Sequence, residues 1–285
     1  MIHRVSQQAN CRIRPQTLSR VETFVARRAL ILKSASCREQ PQRDLIFDFG
    51  LHRGFDSEFY LSKGFRVVGL EAVPSICNGT RERLSRFEER FTAVNKALSD
   101  RAGELASFYS VPEKDDWGSL SKLAAEKGRY QSIEIVVPTT DLHELLDQYG
   151  TPYYIKCDLE GADVIFRDQL ARDRRRPVFV SLEVNSEVDI DILAEAGYDR
   201  GQIVNQWMHP FTHVPNPPSE GSYHEARFTG ETSGLFGLEL PREKWSPLEA
   251  VKDRYLRWRA LKAMDENLAP GWVDVHVCTA AVLGA

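Results

Sequence analysis

Apolar runs of strand length alternate along the chain with segments whose apolar residues recur at helical spacing. Leu45-Ile46-Phe47 leads into Asp48. A turn with Gly50 and Gly54 follows, and then a segment carrying Phe55 and Phe59. This predicts a strand over 45–49 and a helix over 55–63 that stops at Gly64. Phe65-Arg66-Val67-Val68-Gly69-Leu70 predicts a second strand ending at Glu71. Pro74 suits the first turn of a helix running to about Phe87. A third strand is expected from Phe91 to near Ala97-Leu98-Ser99-Asp100. Crossovers of this length argue for a parallel sheet.

The alternation then breaks. Leu105–Tyr109 and Ile133–Val137 read as an antiparallel ribbon added to the sheet edge, with the polar stretch 111–131 between them. Asp141 and Glu144 open a helix that ends at Gly150. Pro152–Cys157, Pro177–Leu182 and Gln202–Val204 are further strands, separated by helices over 162–171 and 187–196, the second capped by Ser186. Residues 207–240 carry four prolines among aromatic residues, a long loop whose aromatic content opposes disorder. Ser246-Pro247-Leu248-Glu249 is a helix start. In Val273–Cys278 apolar and polar residues alternate as in a last strand.

Composition changes this picture little. With 285 residues, 42% hydrophobic and 27% charged, the chain suits one large α/β domain with an elaboration. A net charge of −4 makes no global case for nucleic acid or an acidic membrane surface. No apolar run approaches the length of a membrane span. Five cysteines (Cys11, Cys37, Cys77, Cys157, Cys278) without C-x-x-C spacing fit a reducing cytoplasm. Residues 1–43 are Arg-rich and acid-poor. An amphipathic helix over 18–34 is expected there, with a transit segment or a basic arm as the other readings.

Three places carry candidate chemistry. Gly50 and Gly54, spaced G-x-x-x-G, let a ligand approach the backbone, and the helix start after them receives polar groups. Glu71, closing the second strand, is placed to bond a ribose diol; its bland reading is a solvated strand-end carboxylate. These features point to a nucleoside-bearing cofactor at the carboxyl edge of the sheet. Lys156, Asp158 and Glu160 end a buried strand as Lys156-Cys157-Asp158-Leu159-Glu160-Gly161. Either carboxylate suits a proton acceptor or an orienting group for an acceptor, and a buried ion pair that only fixes the loop stands equal to that. Asp158 with Glu183 and Asn185 is a magnesium-type donor set, ranked below no metal. His209 and His213 flank Pro210, which opposes the helix a zinc pair would need. His213 is carried as a candidate base against the commoner surface histidine. Arg172–Arg176 reads as complementing its helix end.

Together, DFGLHRGFDS, VVGLEAVP, NKALSD, YIKCDLEGAD and FVSLEVN resemble the FkbM-type family of S-adenosylmethionine-dependent methyltransferases over roughly residues 45–206. The chain has Leu51 and His52 where the family commonly has Ala and Asn. The resemblance implies a Rossmann-like class I methyltransferase fold: an α/β sheet in order 3-2-1-4-5-7-6 with strand 7 antiparallel. It divides the chain into a basic extension 1–43, a cofactor-binding core 44–206, a lid or acceptor-binding cap 207–271 between strands 6 and 7, and a last core strand 272–285. S-adenosylmethionine is the implied cofactor, with Asp48 at its methionine end (or capping the turn), His52 near its carboxylate, and Ser57 and Ala97 also in contact. The implied activity is O-methylation of a sugar, glycan or polyketide-type hydroxyl. The implied partners are that acceptor and, as an assembly to test, a homodimer. A non-catalytic S-adenosylmethionine-binding module and an NAD-dependent oxidoreductase or epimerase are the competing readings; the second would want G-x-G-x-x-G.

Overall fold

The computed structural model describes residues 40–127 and 129–284. The helix expected over 18–34, and the extension to residue 39, lie outside the described residues. The main sheet is built from β1 (Gln42–Phe49), β2 (Arg66–Leu70), β3 (Phe91–Val94), β7 (Pro152–Cys157), β8 (Phe179–Glu183), β9 (Arg200–Asn205), the two-residue β10 (Ser246–Pro247) and β11 (Val273–Cys278). Their order is β10-β9-β11-β8-β7-β1-β2-β3. β1 pairs in parallel with β2 and β7, while β11 runs antiparallel between β8 and β9. Leaving out β10 and counting only the sheet strands, this is 3-2-1-4-5-7-6 with strand 7 reversed, the class I methyltransferase arrangement.

Alternate residues of a strand face opposite sides, and here both sides are buried. Leu45, Phe47 and Phe49 join one core with Leu142, Phe166, Ile190 and Val251. Those residues come from α4 (Leu142–Tyr149), α5 (Asp163–Arg172), α6 (Glu187–Glu195) and α7 (Leu248–Met264). Ile46 and Tyr154 join a second core with Phe59 and Tyr60 of α1 (Phe55–Ser62). The rest of that second cover comes from the long loop: Phe228, Leu235, Phe236 and Leu240 are buried there. Lys63, after α1, meets Glu239 at 2.6 Å with both side chains fully buried. The Glu220 carboxylate accepts from the Tyr153 hydroxyl and from the Leu238 amide. Residues 220–240 are thus tied into the second core rather than resting on it.

Two caps fall where the sequence places them. The Asp141 carboxylate accepts from the Glu144 amide at the start of α4, and Ser186 with Asp189 forms a capping box at α6. Ser246 does not cap α7; it pairs with Gly201 as a strand residue. The helix starting at Pro74, α2 (Pro74–Arg83), ends short of Phe87 in a 3-10 segment over Ser85–Arg90.

The ribbon differs from expectation. The third strand stops at Val94, and β4 (Ala97–Leu98) pairs instead with β6 (Ile133–Thr140), itself antiparallel to β5 (Leu105–Ser110). The side-chain amide of Asn95 donates to the carbonyls of Glu71 and Ala72, holding the bend that separates β3 from β4. The result is a separate three-stranded sheet, β4-β6-β5, rather than extra strands on the main edge.

Candidate active site

A cavity of about 680 Å³ opens at the carboxyl ends of β1, β7 and β8, where open α/β sheets hold ligands. A smaller recess of about 60 Å³ adjoins it and shares Gly50, Asp115, Asp158 and Glu160 with it. Val73, Ala97, Leu98, Phe108 and Leu120 line the recess, together with Glu71.

The turn after β1 is shaped by its own packing. A Cβ on Gly50, at φ +82°, would overlap the Asp158 carbonyl oxygen, so only glycine lets β1 and β7 end side by side. A Cβ on Gly54 would come within 2.6 Å of Thr80 Cγ2. Leu51 is buried, and a Cβ on Gly69 would sit 2.6 Å from its Cδ1. The larger side chain at residue 51 is thus matched by the glycine in the second strand. The Glu71 carboxylate accepts from the amides of His52 and Val73, at 2.9 and 2.8 Å. Burial raises its pKa, and those amides oppose the rise. The His52 ring meets Asp115 at 3.0 Å, and Arg53 meets the other oxygen of the same carboxylate.

Asp48 is buried at the end of β1. Its Oδ2 accepts from the Ser57 hydroxyl at 2.7 Å, whereas Oδ1 has no hydrogen bond. Lys156, equally buried, lies 3.4 Å from that Oδ1 and 3.7 Å from both Asp56 and Asp158, and donates to the Gly50 carbonyl. Burial alone would lower the lysine pKa, but Asp48, Asp158 and Asp56 together outweigh it and raise it well above the usual value. Asp56 also accepts from the Ser233 amide at 2.8 Å. Its pKa is pushed up to about 6 by burial, against the pull of Lys156.

Lys156 does not meet Glu160, which pairs instead with Lys127 at 2.8 Å. Burial raises the Glu160 pKa, and the Lys127 bond opposes that. Asp163, by accepting from the Leu159 and Gly161 amides, fixes the loop between β7 and α5. Asp158 keeps its side chain 51% exposed. Glu183 lines the cavity with its pKa pushed up to about 8, first by burial and then by Asp158, Glu160 and Asp163. Asn185 lies in a different recess, lined also by Tyr255 and Trp258. Among the described residues no group of three His, Cys, Asp or Glu is arranged to hold a metal ion.

The structure therefore gathers Gly50, His52, Gly54, Lys156, Asp158 and Glu160 around the larger cavity and Glu71 and Ala97 around the recess, with Asp48 and Ser57 directly behind. His213 is exposed and lines neither cavity. His209 is buried against Gln206, and burial lowers its pKa to about 4. Sequence reading missed Asp56, Asp115, Gln206, Trp272 and Asp274, all of which line the cavity. Asp274 carried a usable signal: a strand at the centre of a sheet covered on both faces has no solvent side, so its alternate polar residues need a reason to be buried.

No family model matches the chain, and no curated protein matches it. Among solved structures, a precorrin-6y C5,15-methyltransferase from Geobacter metallireducens GS-15 is similar at 10% identity over 88% of this chain and 88% of that one, with a TM-score of 0.38. A TehB-like SAM-dependent methyltransferase from Corynebacterium glutamicum is similar at 12% identity over 64% of this chain and 85% of that one, with a TM-score of 0.31. The methyltransferase domain of a bacterial Hen1 protein, CtHen1, is similar at 12% over 65% and 89%, with a TM-score of 0.33. Likeness this low carries nothing about activity or ligand; the fold rests on strand order, direction and register.

Proposed function

We propose that the paired cavities hold S-adenosylmethionine and that the protein transfers its methyl group to a hydroxyl on a sugar, glycan or polyketide-type acceptor. The observation that carries this reading is the placement of the ends of two adjacent parallel strands: Glu71, just past β2, lines the smaller recess, and Gly50, just past β1, lines both recesses with Asp48 buried directly behind it. The residues present fit the cofactor. Glu71 suits the ribose diol, and Val73, Ala97 and Phe108 suit the flat base. The buried Asp48 Oδ1, an acceptor without a hydrogen bond, suits an ammonium group. When bound, the cofactor supplies a methyl group already activated on a sulfonium.

The chain's own residues supply placement and proton removal. Asp158, half-exposed at the cavity and within ion-pair distance of Lys156, is the proton acceptor in this reading. Glu160 takes a supporting role through Lys127. The five-segment resemblance to the FkbM-type family supports a hydroxyl as the accepting group. Of the segment 207–271, residues 230–233 and Trp272 just after it line the cavity, so acceptor contact is assigned to them rather than to the part buried in the second core.

Calorimetric titration with S-adenosylhomocysteine and with NAD tests the cofactor. Binding of the first alone is expected, and binding of NAD alone would overturn the assignment. A screen of hydroxylated acceptors with methyl-labelled cofactor then tests the reaction.

A further inference from the structure

The cavity has a second end, remote from Asp48. Asp274 stands directly opposite Glu183 in the antiparallel pairing of β11 with β8. Asp158 follows Cys157, the register partner of Leu182, so it adjoins Glu183 on the other side. Three carboxylates thus stand in a row on neighbouring strand ends, an arrangement that like charges oppose. Of the lysines that line the cavity, Lys156 is within ion-pair distance of Asp158 but of neither Glu183 nor Asp274 and is already shared with Asp48 and Asp56, while Lys127 is paired with Glu160.

Asp274 is the independent sign of a ligand. It is 8% exposed and lines the cavity, and its carboxylate has no hydrogen bond or ion pair with any described residue. A buried carboxylate without a partner is costly. Its pKa is raised well above the ordinary range by burial, reinforced by Asp158 and Glu183. Beside it, the Gln206 side-chain nitrogen is also buried and unpartnered, and Trp272 borders the same space. Carboxylates next to an aromatic wall are the chemistry that recognises an organic ammonium ion. The cofactor's own ammonium does not account for them: β11 lies three strands from β1, or about 14 Å at the usual strand spacing. Among the described residues no group of three metal-type side chains is formed there.

We propose that this end of the cavity is an ammonium subsite: the molecule bound there carries a protonated amine, held by Asp274 and Glu183 with Trp272 as its wall. As a statement about the methyl acceptor it rests on the methyl-transfer reading; as a statement about a cation site it stands without it. The acceptor class becomes an amine-bearing alcohol, such as an amino sugar, rather than a neutral or anionic one. Gln206 is then a donor to a neighbouring oxygen.

Ligand-observed NMR titration of the full chain tests this with two pairs: ethanolamine against ethylene glycol, and glucosamine against glucose. At least one amine is expected to bind tenfold or more tightly than its neutral partner. Asp274→Asn should reduce that preference to under threefold, and Trp272→Ala should weaken the amine alone. S-adenosylhomocysteine affinity, measured on the same samples, should change less than twofold in Asp274→Asn, which also reports that this variant is folded. Equal affinity within every pair, or a preference unchanged in Asp274→Asn, overturns the subsite. An amine preference that depends on Asp274 in a protein that fails to bind S-adenosylhomocysteine would support the subsite while overturning the cofactor assignment.

Discussion

Asp48 and Lys156 are register partners on adjacent parallel strands, and their charged groups meet 3.4 Å apart in the buried floor of the cavity. Because Lys156 also faces Asp56 and Asp158, it is the one cation close to three acids there among the described residues. Replacing it with Met leaves those acids uncompensated. Loss of one member of a buried pair costs about 3–5 kcal/mol, so Lys156→Met should lower the urea midpoint strongly at pH 7. Part of the loss should return at pH 5: without the pull of Lys156 the Asp56 pKa moves above its value of about 6, so that carboxyl is protonated there. A midpoint unchanged at pH 7 would show that the lysine does not hold the floor together.

Glu71 has two tasks that substitution separates. Its oxygens hold the turn through the His52 and Val73 amides, and they face the recess assigned to the nucleoside. Glu71→Gln keeps one acceptor oxygen and should weaken S-adenosylhomocysteine about tenfold, in line with the loss of a charge-assisted hydrogen bond of about 1.5 kcal/mol. Glu71→Ala should weaken it further and lower the melting temperature as well. Calorimetry showing full affinity in both variants would mean that the ribose lies elsewhere.

Glu183 makes stability depend on pH. Its folded pKa of about 8 lies above the ordinary carboxylate value, so its neutral form is favoured by folding. Its contribution is fully present below the unfolded value near 4.5 and is lost as pH rises through about 8. Partial exposure limits the effect to about 2 kcal/mol between pH 5 and pH 9. Glu183→Gln should flatten that part of the stability profile and exceed the wild type at pH 9. Parallel profiles for the two proteins would place the titration on another group.

Lys63 and Glu239 fasten the long loop to the end of α1 through a fully buried ion pair. Glu239→Ala strands the lysine and should cost about 3–5 kcal/mol, whereas the double change Lys63→Met with Glu239→Leu should recover most of it. Thermal unfolding of the three variants measures the difference. For the same reason, deletion of 207–240 removes buried Phe228, Leu235 and Phe236 and should unfold the second core, not merely open the site. A deletion protein with wild-type cooperativity would contradict that.

The main sheet was legible because its central strands β1, β2, β7 and β8 are mostly apolar runs between turn residues and β11 alternates, and its order followed from the resemblance. Two things were not legible. The split between Val94 and Ala97 depends on a pairing with Thr139 and Thr140 some forty residues away, and local pattern cannot carry that. The polar residues of β11 look solvent-facing by alternation alone; only the strand's place between β8 and β9 buries Asp274 and His276. Conversely, Leu51 looked like a departure in the cofactor turn, and its partner Gly69 shows the compensation. His213 had no local feature to separate it from His209, and the fold leaves it outside.

The insertion of β11 between β8 and β9 also sets an order of assembly during synthesis. Apart from the two-residue β10, β9 has no sheet neighbour except β11. Chains emerge from the ribosome at about 5–20 residues per second and fold from the N-terminal side. The strands carrying Asp48, Glu71 and Lys156 can therefore pair early, while β9 waits, edge exposed, for more than sixty further residues to emerge. The strands that carry Asp48, Glu71 and Lys156 thus precede the one that brings Asp274, and the face they share with α1 gains its cover only when Phe228, Leu235 and Phe236 have followed.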